Sequence, residues 1–225
     1  MILAQASLMA AQAPAKNAVL VTVQATLGAD GSLRGTVKST WSGACATDLR
    51  ARLQKTRPGE TAAVLNAFAS ASLTGHLKAE GAIAGLDTPG SDLTVAYTLD
   101  APKFAAPGAG KSLLFGLPLL RPYDPRKIPG SSLPVTIDHD LSIKLPAGIV
   151  PLEFPPVFST VTPNAGRYVL YHDLERTGEV VLKVRRELEI VGPSSAALNE
   201  LLEGAAAHDA PSLTLIVAPV KPPPR

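Results

Sequence analysis

Residues Val19 to Leu27 read VLVTVQATL, and residues Leu33 to Trp41 read LRGTVKSTW. Both segments alternate in the period of two that puts successive side chains on opposite faces of an extended strand. Between them stands Gly28-Ala29-Asp30-Gly31. Asp-Gly readily adopts the positive φ that a tight turn needs, so the two segments form a β-hairpin. On its second strand Leu33, Gly35, Val37, Ser39 and Trp41 share one face.

The period then changes. Ser42 is placed to cap a helix over about Gly43 to Lys55, with Ala46, Leu49 and Leu53 at helical spacing. Asp48 lies early in it and Arg50, Arg52 and Lys55 lie late, which suits the helix dipole. Arg57-Pro58-Gly59-Glu60 interrupts the chain, and Pro58 suits the first turn of a second helix running to about Ser72. The short break predicts an antiparallel helical hairpin at about 43–72.

Strand patterns return after Gly75. They cover Leu77 to Leu86, Asp92 to Asp100, Ser112 to Leu120, Leu133 to Leu145, Phe158 to Pro163, Gly166 to Arg176 and Glu179 to Val191. The proline-rich residues 121–134 read as a loop, and Arg176-Thr177-Gly178-Glu179 turns the last two strands into a hairpin. Pro193-Ser194-Ser195 opens a final helix carrying Leu198, Leu201 and Leu202, and Ser212 to Val217 is a last strand. Strands joined by short turns, without β-α alternation, predict a mainly β (α+β) fold. The expected form is an antiparallel β-sandwich with an inserted helical hairpin and a C-terminal helix. Residues 18–218 are expected to make one β-rich domain, preceded by a poorly packed leader or truncated linker over 1–17 and followed by a flexible tail over 219–225. The leader is apolar and ends in small residues, as a signal peptide does, but carries no Lys or Arg before Lys16.

Composition narrows the function classes. Of the 225 residues 46% are apolar, enough for a sizeable core. Aromatics are only 4%, too few for a protein that stacks bases on aromatic platforms. With 21 basic and 19 acidic residues the net charge of +2 gives no field for steering nucleic acid or anionic membrane. Lys183, Arg185 and Arg186 form a small basic group on a strand, where alternation sends some of them to a solvated face. No apolar run reaches the roughly 18 residues of a membrane span.

Three motifs invite a chemical reading. Pro107-Gly108-Ala109-Gly110-Lys111-Ser112 looks like the second half of a phosphate-binding loop. That loop needs a glycine five positions before its second glycine and a helix after it, so that backbone amides and the helix dipole meet phosphate. Ala105 stands at the first position, and Leu113 to Pro118 is a poor helix, so the segment reads as a connector between strands. His139-Asp140, His172-Asp173 and His208-Asp209, with Asp138 before His139, could bind metal or move protons. Along a strand, however, His139 and its neighbouring aspartates point to opposite faces, and His208 sits where a helix C-terminus favours a cation. Cys45, the single cysteine, forms no internal disulfide and reads as a buried thiol at a helix start.

The segment from Val23 to Leu53 couples a strand, Asp30-Gly31-Ser32-Leu33 followed by Gly35, a second strand, Ser42-Gly43 and a helix bearing Leu49-Arg50. Further on come a Leu145-Pro146-Ala147-Gly148 turn and a closing hairpin, helix and strand from Arg167 to Val217. In this order the chain resembles the C-terminal β-rich domain of bacterial transglutaminase-like proteins that carry an N-terminal domain of unknown function. The resemblance covers most of residues 19–217. It implies an accessory module that follows a papain-like core, in an exported bacterial protein of the periplasm or another extracytoplasmic space, with the cytoplasm as the alternative. The core would supply a Cys/His/Asp triad, and Cys45 matches none of its members, so the resemblance carries over no catalytic, cofactor or metal residue.

The expected function is therefore a non-catalytic accessory or interaction module whose partner is a transglutaminase-like domain or another protein. Two other classes stay open. One is a small hydrolase or metal enzyme using the His-Asp pairs, which needs the histidines within about 10 Å of each other. The other is a ligand- or glycan-binding sandwich, which needs an exposed aromatic cluster, and the ten aromatics of the chain count against one.

Overall fold

The structure is a computed structural model and describes residues 17–55, 60–70, 78–108, 112–116, 132–151, 157–192, 195–208 and 214–219. The first hairpin forms as its sequence dictates. Strand β1 (Asn17–Leu27) runs antiparallel to β2 (Leu33–Ser42), with Leu27 opposite Leu33 and Ala18 opposite Ser42. Gly31 takes a φ of 81°, and Asp30 Oδ1 accepts hydrogen bonds from the Ser32 amide at 3.0 Å and the Ser32 hydroxyl at 2.7 Å. Those two donors hold the Asp30 carboxyl below the usual carboxylate range. The Ala105 amide in turn donates to the Gly31 carbonyl at 2.9 Å, and a Cβ at position 31 would collide with the Ala105 carbonyl. Glycine is required there on two counts, conformation and space.

Helix α1 (Ala44–Leu53) comes directly after β2. Ser42 does not cap it. Gly43, with φ 62°, is the capping residue and makes no side-chain bond, and the Ala44 amide donates instead to Asn17 Oδ1 at 2.8 Å. Asn17 also donates through Nδ2 to the Ser132 carbonyl at 2.9 Å. One side chain thus joins the start of β1, the start of α1 and the approach to a later strand. Residue 17, expected in the leader, is the first residue of the sheet. Arg50 differs from expectation too. It lies on the buried side of α1, where Nε donates to the Gly85 carbonyl at 3.0 Å and Nη2 to the Ser91 carbonyl at 2.8 Å. Arg52 is the helix cation that meets a carboxylate, Asp48, at 2.7 Å.

Helix α2 (Thr61–Ser70) packs on β3 (Lys78–Ala84) and β4 (Leu93–Ala101), burying Leu65. Pro58 lies outside the described residues. Later come β5 (Ala106–Pro107), β6 (Leu113–Gly116), β7 (Val135–Lys144), β8 (Ile149–Pro151), β9 (Phe158–Thr162), β10 (Gly166–Thr177) and β11 (Glu179–Ile190). Helix α3 (Ser195–His208) and β12 (Thr214–Pro219) close the order. The very short β5 and β8 carry no period that a sequence pattern could reveal. Prolines at positions 107 and 151 lie in them, as befits sheet edges.

The fold is mainly β with three helices among the described residues. One sheet has the order β3-β4-β2-β1-β7-β11-β10-β9 and a second the order β5-β6-β12-β8. The larger sheet is mixed rather than antiparallel throughout. β1 and β7 run parallel, from Asn17 opposite Val135 to Thr26 opposite Lys144, and all its other described neighbours are antiparallel. A parallel pair needs a long crossover, and the chain between Leu27 and Val135 supplies it. β9 pairs with β10 only from Gly166 to Leu170, so β10 runs on past its neighbour's end.

The larger sheet buries one face. Val19, Val21 and Val23 of β1, Trp41 of β2, Val95 of β4, Ile143 of β7, Leu182 of β11 and Leu170 of β10 share a single core cluster. α1, α2 and α3 pack against this sheet, and Leu113 and Phe115 of β6 join the same cluster. Trp41 satisfies its indole N–H on Ser39 Oγ at 3.1 Å. Among the described residues no helix is long and apolar enough to cross a membrane.

Arg50 offers a direct test of how α1 is anchored. Arg50→Ala leaves the Gly85 and Ser91 carbonyls without this donor and should lower unfolding free energy by about 2–4 kcal/mol, measured by urea denaturation. Arg52→Ala, at an exposed helix pair, should cost about 0.5 kcal/mol or less.

Candidate functional site

The described ends of the segment Pro107–Ser112 lie at two paired strands. Pro107 of β5 pairs with Leu113 of β6, and the Gly108 amide donates to the Ser112 carbonyl at 2.8 Å. Residues 109–111 lie outside the described residues. Ser112 leads into strand β6 and not into a helix, so the segment is not followed by the helix N-terminus that a phosphate-binding loop uses.

The single thiol sits in the core. Cys45 is 6% exposed on the inner side of α1, and burial first, with the Asp48 charge second, pushes its thiol above the ordinary value. A nucleophilic cysteine needs the opposite shift, toward thiolate.

The histidines keep to the strand period. His139 on β7 is buried, whereas Asp138 on one side and exposed Asp140 on the other project to the outer face. His172 on β10 shares the inner face with His139. The register runs His139 opposite Arg186 and Arg186 opposite Leu170, with His172 two residues further along β10. At ordinary strand spacing the two Cα atoms stand about 12 Å apart. Arg186, itself buried at 4% exposure, occupies the strand between them, and its positive charge opposes a metal cation in that row. His208 lies elsewhere, at the end of α3, with Nδ1 3.0 Å from the Gly204 carbonyl and its ring stacked on Phe158 at 3.4 Å. Asp209 lies outside the described residues. Among the described residues no group of three or more His, Cys, Asp or Glu side chains is arranged to hold a metal ion. Burial lowers the His172 pKa, and the neighbouring Asp173 only partly offsets this.

The outer face of β7, β11 and β10 gathers charge. Alternation divides the basic group of β11, sending Lys183 and Arg185 outward and Arg186 into the core. Cross-strand register sets Asp140 beside Arg185 and Arg185 beside Tyr171, and the next row reads Ser142, Lys183, Asp173. Lys183 reaches Glu175 at 2.5 Å, and this carboxylate raises its pKa. Arg167 pairs with both Glu187 and Glu189, and Lys144 with Glu179 at 2.5 Å. Arg185 and Asp140 are 3.9 Å apart, longer than a hydrogen bond. A shallow depression of about 300 Å³ opens here, walled by Asp140, Ser142, Tyr171, Asp173, Lys183 and Arg185. Tyr171 is 49% exposed, the one strongly exposed aromatic among the described residues. The sequence held these residues, but only the β7-β11-β10 order makes them neighbours.

No family model, curated protein or solved structure matches the chain.

Two measurements probe the buried groups. The His172 pKa is lower folded than unfolded, so the unfolded chain binds the extra proton, and stability should fall as pH drops below about 6.5. Denaturation from about pH 7.5 to about pH 5 should show this slope, and His172→Gln should flatten it. The Cys45 thiol should react with an aromatic disulfide reagent slowly in the native protein and rapidly in denaturant.

Proposed function

We propose that this chain is a non-catalytic interaction module that serves a transglutaminase-like neighbour in an exported bacterial protein. The observation that carries this reading is the setting of Cys45. It is the only candidate for a thiol nucleophile in the sequence, it is packed in the core, and burial favours its protonated form. His139, His172 and His208 stand on three different elements, β7, β10 and α3. A β-hairpin, two helices and a closing hairpin, helix and strand follow one another along the chain, the element order that motivates the reading. The chain's contribution is then surface: a broad, polar outer sheet face that a neighbouring domain can cover with little change in shape.

Two assays test this. A glutamine-donor peptide and a primary amine, incubated with the chain, should give no transamidation or amide hydrolysis. The chain should bind a bacterial transglutaminase-like catalytic core, supplied as a separate protein, saturably in calorimetry. Thiol-dependent turnover that disappears in Cys45→Ala would falsify the proposal.

A further inference from the structure

The depression on the outer face of β7, β11 and β10 has a composition that selects one kind of small molecule. Its floor lies on strands held in register, β7 with β11 and β11 with β10, rather than on loops. On one side stands the half-exposed ring of Tyr171, with Arg185 directly across the strand pair. Around it are two carboxylates, Asp140 and Asp173, two cations, Lys183 and Arg185, and the hydroxyl of Ser142.

Charge decides first. An anion would meet Asp140 and Asp173, and a cation would meet Lys183 and Arg185, all within one wall. A neutral ligand suffers neither repulsion. Hydrogen bonding decides next. The wall offers acceptors from the carboxylates and donors from the guanidinium, and the 3.9 Å Asp140–Arg185 separation leaves both groups able to reach a ligand. Lys183 is turned toward Glu175 and helps fix the wall. A neutral ligand rich in groups that both donate and accept, as hydroxyls do, fits this set. Shape decides last. An open recess with one exposed aromatic ring suits a flat ring whose C–H bonds lie on the π-face, while its rim hydroxyls reach polar neighbours. The volume, about 300 Å³, is at the small end of ligand sites and holds one or two rings rather than a large ligand.

We infer that this depression is a binding site for a neutral carbohydrate, with a sugar ring stacked on Tyr171 and its hydroxyls held by Asp140, Asp173 and Arg185. This goes beyond the interaction-module reading and does not depend on it. A module can hold a glycan on its outer face whether or not a protein neighbour exists, and the readouts are separate.

The test titrates the full chain with cellotetraose, maltotetraose and chitotetraose, followed by calorimetry and by backbone amide chemical shifts. At least one should bind weakly and saturably, with shifts clustered at residues 140–142, 171–173 and 183–185. Tyr171→Ala should weaken that binding roughly tenfold, Tyr171→Phe should keep most of it, and Asp140→Asn should weaken it severalfold. An oligogalacturonate of the same length should bind more weakly than the neutral sugar. Thermal melts of each variant check that it is folded, which this exposed position should permit. Absence of binding to all three neutral sugars overturns the proposal. So does binding that Tyr171→Ala, shown to be folded, leaves unchanged.

Discussion

The parallel ladder between β1 and β7 is the joint on which the molecule depends. On one side of it β3, β4, β2 and β1 form an antiparallel set drawn from the N-terminal part of the chain, and on the other β7, β11, β10 and β9 form a second set from the C-terminal part. Val19, Val21 and Val23 on one strand and Ile137, Leu141 and Ile143 on the other bury their side chains on the same face along this seam. Without it there would be two four-stranded sheets, each with a long apolar edge. Asn17 pins the seam where it begins, because its amide holds the Ser132 carbonyl and the first amide of α1 at once. The first helix and the first central strand therefore take their positions from one side chain.

Local features of the fold could be read from the sequence, and distant ones could not. The Asp30-Gly31 turn, the switch to helical period after Ser42 and the Gly178 hairpin between β10 and β11 each rest on a few adjacent residues with defined φ preferences. The β1–β7 pairing rests on strands separated by most of the first two thirds of the chain, and no adjacent residues encode it. The same distinction explains the helix cap. Ser42 had the right chemistry beside the helix, but the bond to Ala44 comes from Asn17, which proximity in the fold delivers. Arg50 had the right charge for a helix C-terminus, yet helical period turns it inward, where carbonyls of the β3–β4 connection receive it.

The candidate site shows the same limit more sharply. Alternation alone separated Arg186 from Lys183 and Arg185, and it also sent the aspartates beside His139 to the opposite face. Tyr171 gave no signal, because its neighbours Arg185 and Asp140 lie on two other strands and meet it only through register. A surface assembled by three strands has no signature in any one of them.

The run of β10 beyond the end of β9 has a consequence for how these molecules meet one another. From Tyr171 onward the described residues pair β10 with β11 alone, and wherever a strand edge is open it is a template for another strand. If a second copy lay antiparallel along it with Leu174 at the centre, Asp173 of one molecule would face Glu175 of the other, twice over. Like charges placed directly opposite each other destabilise a strand pair. These facing carboxylates weigh against the edge pairing with its own image, with Lys183 of each molecule offsetting part of the repulsion.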